Sequence, residues 1–261
     1  MLAGDPMEAA GKAEEFLKEK SLSSYFDEVA LKGLQLAQID AKRGTLDQAR
    51  MTGIRDTITE FVSDLSTQDD AIPDVASPTT DAEAAAAVET VPDAAISSNL
   101  PIVQTARLPL HWQADFPVLC VAGRTPLDEA AAVLFSQLSN AHGLAARVEP
   151  ADALSTTNIV RLDTAGIAII CLSYLDASSP AHMRYSVRRL RRKFPNAAIM
   201  LGCWAENIDK DALEELRETA KADTAAGSLS EAMMICRITA GVDEADEKPG
   251  VVQDGFKVSA L

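Results

Sequence analysis

Three short clusters carry residue types able to hold a small molecule: Gly123-Arg124-Thr125, Ser173-Tyr174-Leu175-Asp176, and Cys203-Trp204 with Glu206 nearby. Glycine admits close approach to the backbone, arginine and hydroxyls hold anionic or polar groups, and Tyr174 and Trp204 offer flat apolar faces. Such a set suits recognition. The first cluster opens the run GRTPLD, Gly123 to Asp128, which lacks the further glycines of a dinucleotide fingerprint and the Gly-Lys-Ser/Thr ending of a phosphate loop. The same residues also read as ordinary caps and turns of an α/β protein, so both readings stand at this point.

No catalytic residue and no metal ligand set are expected. His111 has no ligand partner near it in sequence, and His142 sits at a helix C-terminus, where a cation complements the dipole. His182 falls in the first turn of a basic helix, near the rim of the proposed pocket. Cys120, Cys171, Cys203 and Cys236 are far apart, without zinc-knuckle or redox-pair spacing, so they read as buried, reduced thiols of a cytosolic protein.

The strongest charge feature is the run from His182 to Lys193. At a helical pitch Arg184, Arg188, Arg191 and Arg192 share one broad face, while Met183, Val187, Leu190 and Phe194 form the buried stripe. The plain reading is a solvated face with Arg191 to Lys193 offsetting the helix dipole. The sharper reading is docking onto an acidic surface, either the chain's own acidic stretch or anionic lipid headgroups.

Residues 5–66 carry helical patterning. Asp5-Pro6 opens a helix to about Lys20. A second runs from about Ser23 to Gly44, and a third starts at a Thr45-Leu-Asp-Gln48 capping box. Short loops predict a three-helix antiparallel bundle over 1–66. Residues 67–100 then hold seven acidic and no basic residues among Ala, Pro, Ser and Thr, which predicts a disordered acidic linker. From 101 to 242, apolar runs at Phe116–Ala122, Ala145–Glu149, Gly166–Tyr174 and Ala197–Trp204, with a short fifth near Thr224–Gly227, alternate with helices. Apolar strands spaced by helices predict an α/β fold: a flavodoxin-like, doubly wound parallel sheet of four or five strands. In such a sheet ligands bind beyond the carboxyl ends of the strands, where the three clusters fall. Residues 243–261 read as a flexible tail.

The chain has 261 residues, 47% of them hydrophobic, with 24 Lys+Arg against 39 Asp+Glu and a net charge of −15. The apolar share excludes a wholly disordered chain, and the charge argues against nucleic acid as a partner. The longest apolar run, Ala165 to Leu175, is about half of what a membrane helix requires, and the opening residues lack the pattern of a signal peptide. The start reads instead like the interior of a longer protein.

A helical bundle, a linker and a flavodoxin-like domain resemble the layout of cobalamin-binding modules of methyltransferases and of light or B12 sensors. In that family the loop after the first strand carries Asp-x-His-x-x-Gly, whose histidine ligates cobalt. Here Gly123-Arg-Thr-Pro-Leu-Asp128 stands in that place, and no histidine lies between His111 and His142. Ser173-Tyr174-Leu175 matches the family's Ser-x-Leu, and Gly202-Cys203 meets half of its Gly-Gly. The resemblance leaves open a corrinoid held without that ligand, another ligand, or none. A second resemblance covers nearly the whole chain. The stretch from Gly4 to Arg50, the acidic linker and the block CLSYLDASSPAHMRYSVRRLRRKFP are similar to the soluble C-terminal extension of some proteobacterial autoinducer-2 exporter-type permeases.

Together these readings give a non-enzymatic, cytoplasmic regulatory or ligand-binding module associated with a membrane permease. Its ligand residues are Gly123, Arg124, Thr125, Ser173, Tyr174, Leu175, Cys203 and Trp204. The partner surface is Arg184, Arg188, Arg191 and Arg192, facing the permease's membrane region or an anionic membrane. The cofactor stays unassigned, with cobalamin as one candidate, and a corrinoid sensor or methyl carrier is the alternative. The layout places Gly123, Ser173, Tyr174 and Trp204 around one pocket.

Overall fold

The computed structural model describes residues 11–13, 15–66, 103 and 108–242. The linker 67–100, the tail 243–261 and the first helix's start at Asp5-Pro6 lie outside the described residues.

Five strands, β1 (Val118–Ala122), β2 (Ala146–Glu149), β3 (Ile169–Tyr174), β4 (Ala198–Cys203) and β5 (Thr224–Ala226), form one parallel sheet in the order β2-β1-β3-β4-β5. This is the flavodoxin-like order, with its switch point between β1 and β3. β1, β3 and most of β4 read as continuous apolar runs because both of their faces are covered. Val118, Cys120, Ile169, Cys171 and Met200 point into one core, whereas Leu119, Val121, Ile170, Leu172, Ile199 and Leu201 point into the other.

On the first face lie α4 (Pro126–Ala141) and α7 (Leu229–Thr239), and on the second α5 (Pro180–Lys193) and α6 (Lys210–Ala220). The crossover from β2 to β3 holds two 3-10 turns, Ala151–Leu154 and Ile159–Arg161, where the sequence suggests a short helix over 157–163. Crossovers on both faces are what a parallel sheet with a switch point requires.

The N-terminal helices add a layer outside α4 and α7. α1 (Leu22–Tyr25), a π-turn (Phe26–Ala30) and α2 (Leu31–Lys42) run on continuously, and α3 (Gln48–Asp64) follows. Gly44, with φ +75°, ends α2 in the left-handed conformation that glycine takes cheaply. Asp47 rather than Thr45 caps α3, accepting from Arg50 N at 2.8 Å, since its carboxylate sits one residue before the helix. The described N-terminal helices meet at Phe16, Tyr25 and Phe61, with ring centroids 5.3 and 5.9 Å apart, and their core runs on into that of the sheet. Phe26, Leu34, Phe61 and Leu65 share one hydrophobic cluster with Leu134, Phe135, Leu138 and Met233. α3 lies parallel to α4, with Arg55 paired to Glu129 at 3.3 Å and the Leu65 carbonyl accepting from Gln137 Nε2 at 3.3 Å.

Candidate functional site

The loop after β1 is built around one buried carboxylate. Thr125 and Asp128 form a capping box at the start of α4, and Asp128 does more than cap. Its Oδ2 accepts from the backbone N–H groups of Arg124 (2.9 Å) and Thr125 (3.0 Å), while Oδ1 accepts from Leu175 N at 2.8 Å. The β1 and β3 loops are thereby fixed to each other. Burial pushes the Asp128 carboxyl above its ordinary range, against the opposing pull of these three donors.

The aromatic residues beyond β3 and β4 fold back over glycines. Gly123 N donates to Ser173 O at 2.9 Å, and the Tyr174 ring lies against Gly123 so closely that a Cβ there would strike it. The Tyr174 hydroxyl donates to Ser186 Oγ at 3.2 Å and stands 3.0 Å from His182 Nδ1. If that hydroxyl donates to Ser186, the His182 proton sits on Nδ1 and its Nε2 is left as an acceptor. Trp204 N donates to Tyr174 O at 2.7 Å, and its ring covers Gly202 in the same way.

Helices α1 and α2 then lie across the carboxyl edge of the sheet. Asp27 caps α7 just after β5, accepting from Leu229 N (2.8 Å) and Ser230 N (3.1 Å). Two turns on, Gln35 Nε2 donates to Trp204 O beyond β4 at 3.0 Å. At the far end Lys42 Nζ pairs with Asp176 beyond β3 at 2.7 Å. One helical stretch therefore covers the strand ends from β5 to β3.

The structure brings the three sequence clusters together, but at two depths. Ser173, Tyr174, Leu175, Cys203 and Trp204 are buried, Trp204 beneath the helical cover and Tyr174 against α5. Gly123, Arg124 and Thr125 instead line a cavity of about 650 Å³ that stays open at the β1 and β2 end, with His182 on its wall. Sequence reasoning missed its other main residues, Gln48, Thr52 and Arg55 of α3 and Asp152 after β2. Nothing local marks them, because α3 reaches the cavity only once α1 and α2 have crossed the sheet edge.

The cavity mixes charges. The Arg124 guanidinium is exposed and has no hydrogen bond or ion pair among the described residues. Arg55 is shared between Glu129 (3.3 Å) and Asp56 (2.6 Å), and Asp152 accepts from Asn158 Nδ2 at 3.1 Å. Burial, then the Arg124 charge, hold His182 below its ordinary range. Cys203 is a neutral thiol at pH 7, with burial raising it to about 11. Among the described residues no group of three His, Cys, Asp or Glu is placed to hold a metal ion.

No protein-family model matches the chain, and no curated protein matches it. Among solved structures it is similar to the 1.5 Å crystal structure of a novel cobalamin-binding protein from Desulfitobacterium hafniense DCB-2. The two share 10% identity at a TM-score of 0.38, over 91% of this chain and 93% of that one. The flavodoxin-like order rests on the strand pairing itself.

The residues present do not fit a corrin ring. The places at the ends of β3 and β4 are filled by the chain's own rings, Tyr174 against His182 and Ser186 of α5 and Trp204 under α2. No histidine stands in the β1 loop.

The expected partner arginines also divide. Arg184, Arg188 and Arg192 are exposed. Arg191 instead grips both oxygens of Asp223 at 2.7 Å and the Ala197 carbonyl at 3.2 Å, and Asp223 accepts from Ile199 N at 2.7 Å. Its place in the last turn of α5, beside the turn into β4, makes it an internal strut. Among the described residues no helix is long and apolar enough to cross a membrane.

Proposed function

We propose that this chain is a non-enzymatic regulatory module that binds a small polar molecule carrying an anionic group. The supporting observation is the cavity at the switch-point end of the sheet, walled on one side by α3 and on the other by the β1 and β2 loops. Arg124 holds the anionic group, Thr52 and Thr125 supply hydroxyls, and Asp152 accepts from a donor at the ligand's other end. A ligand there touches both the helical layer and the sheet, so its binding energy bears on how the two are docked.

The test is calorimetric titration of the full chain with citrate, AMP and hydroxocobalamin, repeated on Arg124→Ala. Binding of citrate or AMP that is lost in the variant supports the reading. Absence of binding by either, or equal affinity in the variant, overturns it.

The resemblance to permease extensions supplies a proposed partner, the membrane part of such a transporter, met through the exposed Arg184, Arg188 and Arg192. Loss of co-purification with that membrane part on charge reversal of these three supports the association, and unchanged co-purification removes it.

A further inference from the structure

On the opposite face of the sheet from α3, a groove of about 430 Å³ runs between the lower half of α5 and the 3-10 turn Ile159–Arg161. Its apolar part is unusually open, with Val160 70% and Tyr185 44% exposed. Its rim is cationic: Arg188, Arg189, Arg192 and Lys193. Neutral groups hold two of these in place, the Tyr185 hydroxyl at 2.5 Å from Arg189 and the Val160 carbonyl at 3.0 Å from Lys193. Among the described residues no carboxylate pairs with any of the four, although Arg55, Arg147, Arg191 and Arg217 all have acidic partners. In a chain with 39 acidic residues against 24 basic ones, this is a segregated site for carboxylates.

We propose that the acidic segment 67–100 of the same chain docks in this groove. Its seven carboxylates, Asp69, Asp70, Asp74, Asp81, Glu83, Glu89 and Asp93, have no basic residue among them, and Ile72, Val75, Val88 and Val91 are interspersed. Carboxylates meet the cationic rim, and small branched side chains meet Ile159, Val160 and Tyr185.

The reach is sufficient. The segment's anchors lie near the end of α4, where Leu65 O accepts from Gln137 and Val103 N donates to His142 O at 2.9 Å. The 36 residues between Ser66 and Val103 span about 120 Å when extended, enough to pass around the sheet and return. Covalent attachment also gives an effective concentration on the order of mM, so ion pairs that are individually weak can hold the contact. The contact is independent of the ligand cavity, and it makes the arginine row a surface that an anionic partner reaches by displacing the segment.

The test is zero-length carbodiimide crosslinking of the dilute full chain, with the monomer mapped by mass spectrometry. The proposal expects Lys193 to join to acidic residues of 67–100 at low salt, with yield falling at least about fivefold near 1 M salt, where the screening length is about 3 Å. The same loss is expected in Arg188→Glu/Arg192→Glu, which leaves Lys193 in place and is checked for folding by circular dichroism. Lys193 joining to none of these residues, or joining equally in the variant, overturns the proposal. So does sedimentation of the wild-type chain with phosphatidylserine vesicles in the absence of such crosslinks, which assigns the groove to a lipid surface.

Discussion

Gln35 donates to the main-chain oxygen of Trp204 at 3.0 Å, across 169 residues of sequence. This bond fastens the N-terminal helices to the carboxyl edge of the sheet, where an open α/β sheet would otherwise receive a ligand. Around it the polar matching is incomplete: Gln35 Oε1, Gln38 Oε1 and Trp204 Nε1 are buried without a hydrogen-bond partner among the described residues. The cover is thus held by apolar packing and a few directed bonds. The cavity beside it is the part of the edge that the helix leaves open.

Replacing Gln35 by Ala leaves the Trp204 carbonyl without its donor in a buried place. Loss of a buried partner costs about 1–3 kcal/mol, reduced here because the unpaired Gln35 Oε1 disappears with it. The expected outcome is a lower urea midpoint with an unchanged slope. A midpoint equal to the wild type would mean that this bond does not fasten the layer.

Gly202→Ala places a methyl group inside the Trp204 ring, and Gly123→Ala places one against Tyr174 and 2.7 Å from Ser173 O. Both substitutions are expected to destabilise by about 1–3 kcal/mol in chemical denaturation, because both rings are fully buried, Tyr174 against α5 and Trp204 under α2, and have no room to yield. The same filling predicts that hydroxocobalamin keeps its free absorption spectrum when mixed with the wild-type chain. A shifted spectrum would show that the rings yield.

His182 gives a pH-dependent signature. Its neutral form is favoured in the folded chain by burial and by the neighbouring Arg124, so the unfolded chain binds the proton first as pH falls. The associated stability is complete above the ordinary value of 6.5 and is lost as pH drops through the lowered folded-state value. The imidazole resonances are expected to titrate below 6.5 and to move upward in Arg124→Ala, with Asp152 across the cavity left in place. A midpoint at or above 6.5 would remove Arg124 and burial as the controlling influences.

The parallel sheet was legible because apolar strands buried on both faces and helices capped at Thr125 and Gly143 leave few other arrangements. The clusters at Gly123, Ser173 and Trp204 could be placed at one edge for the same reason. What the sequence concealed was the route of α1 and α2. Helical periodicity says which face of a helix is apolar, and a bundle standing apart or one packed on α4 satisfies it equally well. Only long-range bonds such as Asp27 to Leu229 and Gln35 to Trp204 decide between them, so the burial of Trp204 and the part played by Arg55 had no local signal.

The arginines of α5 supply a final contrast, since periodicity puts Arg188 and Arg191 on one face while the structure gives them different tasks. Arg191 joins the end of α5 to Asp223, which itself accepts from Ile199 N inside β4, whereas Arg188 is exposed on the groove rim. Arg191→Glu sets like charges against each other at that junction. Both side chains of the pair are more than a third exposed, so solvent screening limits the expected loss to about 1 kcal/mol. Arg188→Glu removes no ion pair among the described residues and is expected to leave the denaturation midpoint within about 0.5 kcal/mol of the wild type. Paired urea melts decide the matter: equal destabilisation by the two variants would show that Arg188 also supports the fold, and would disqualify its charge reversal as a clean probe of docking.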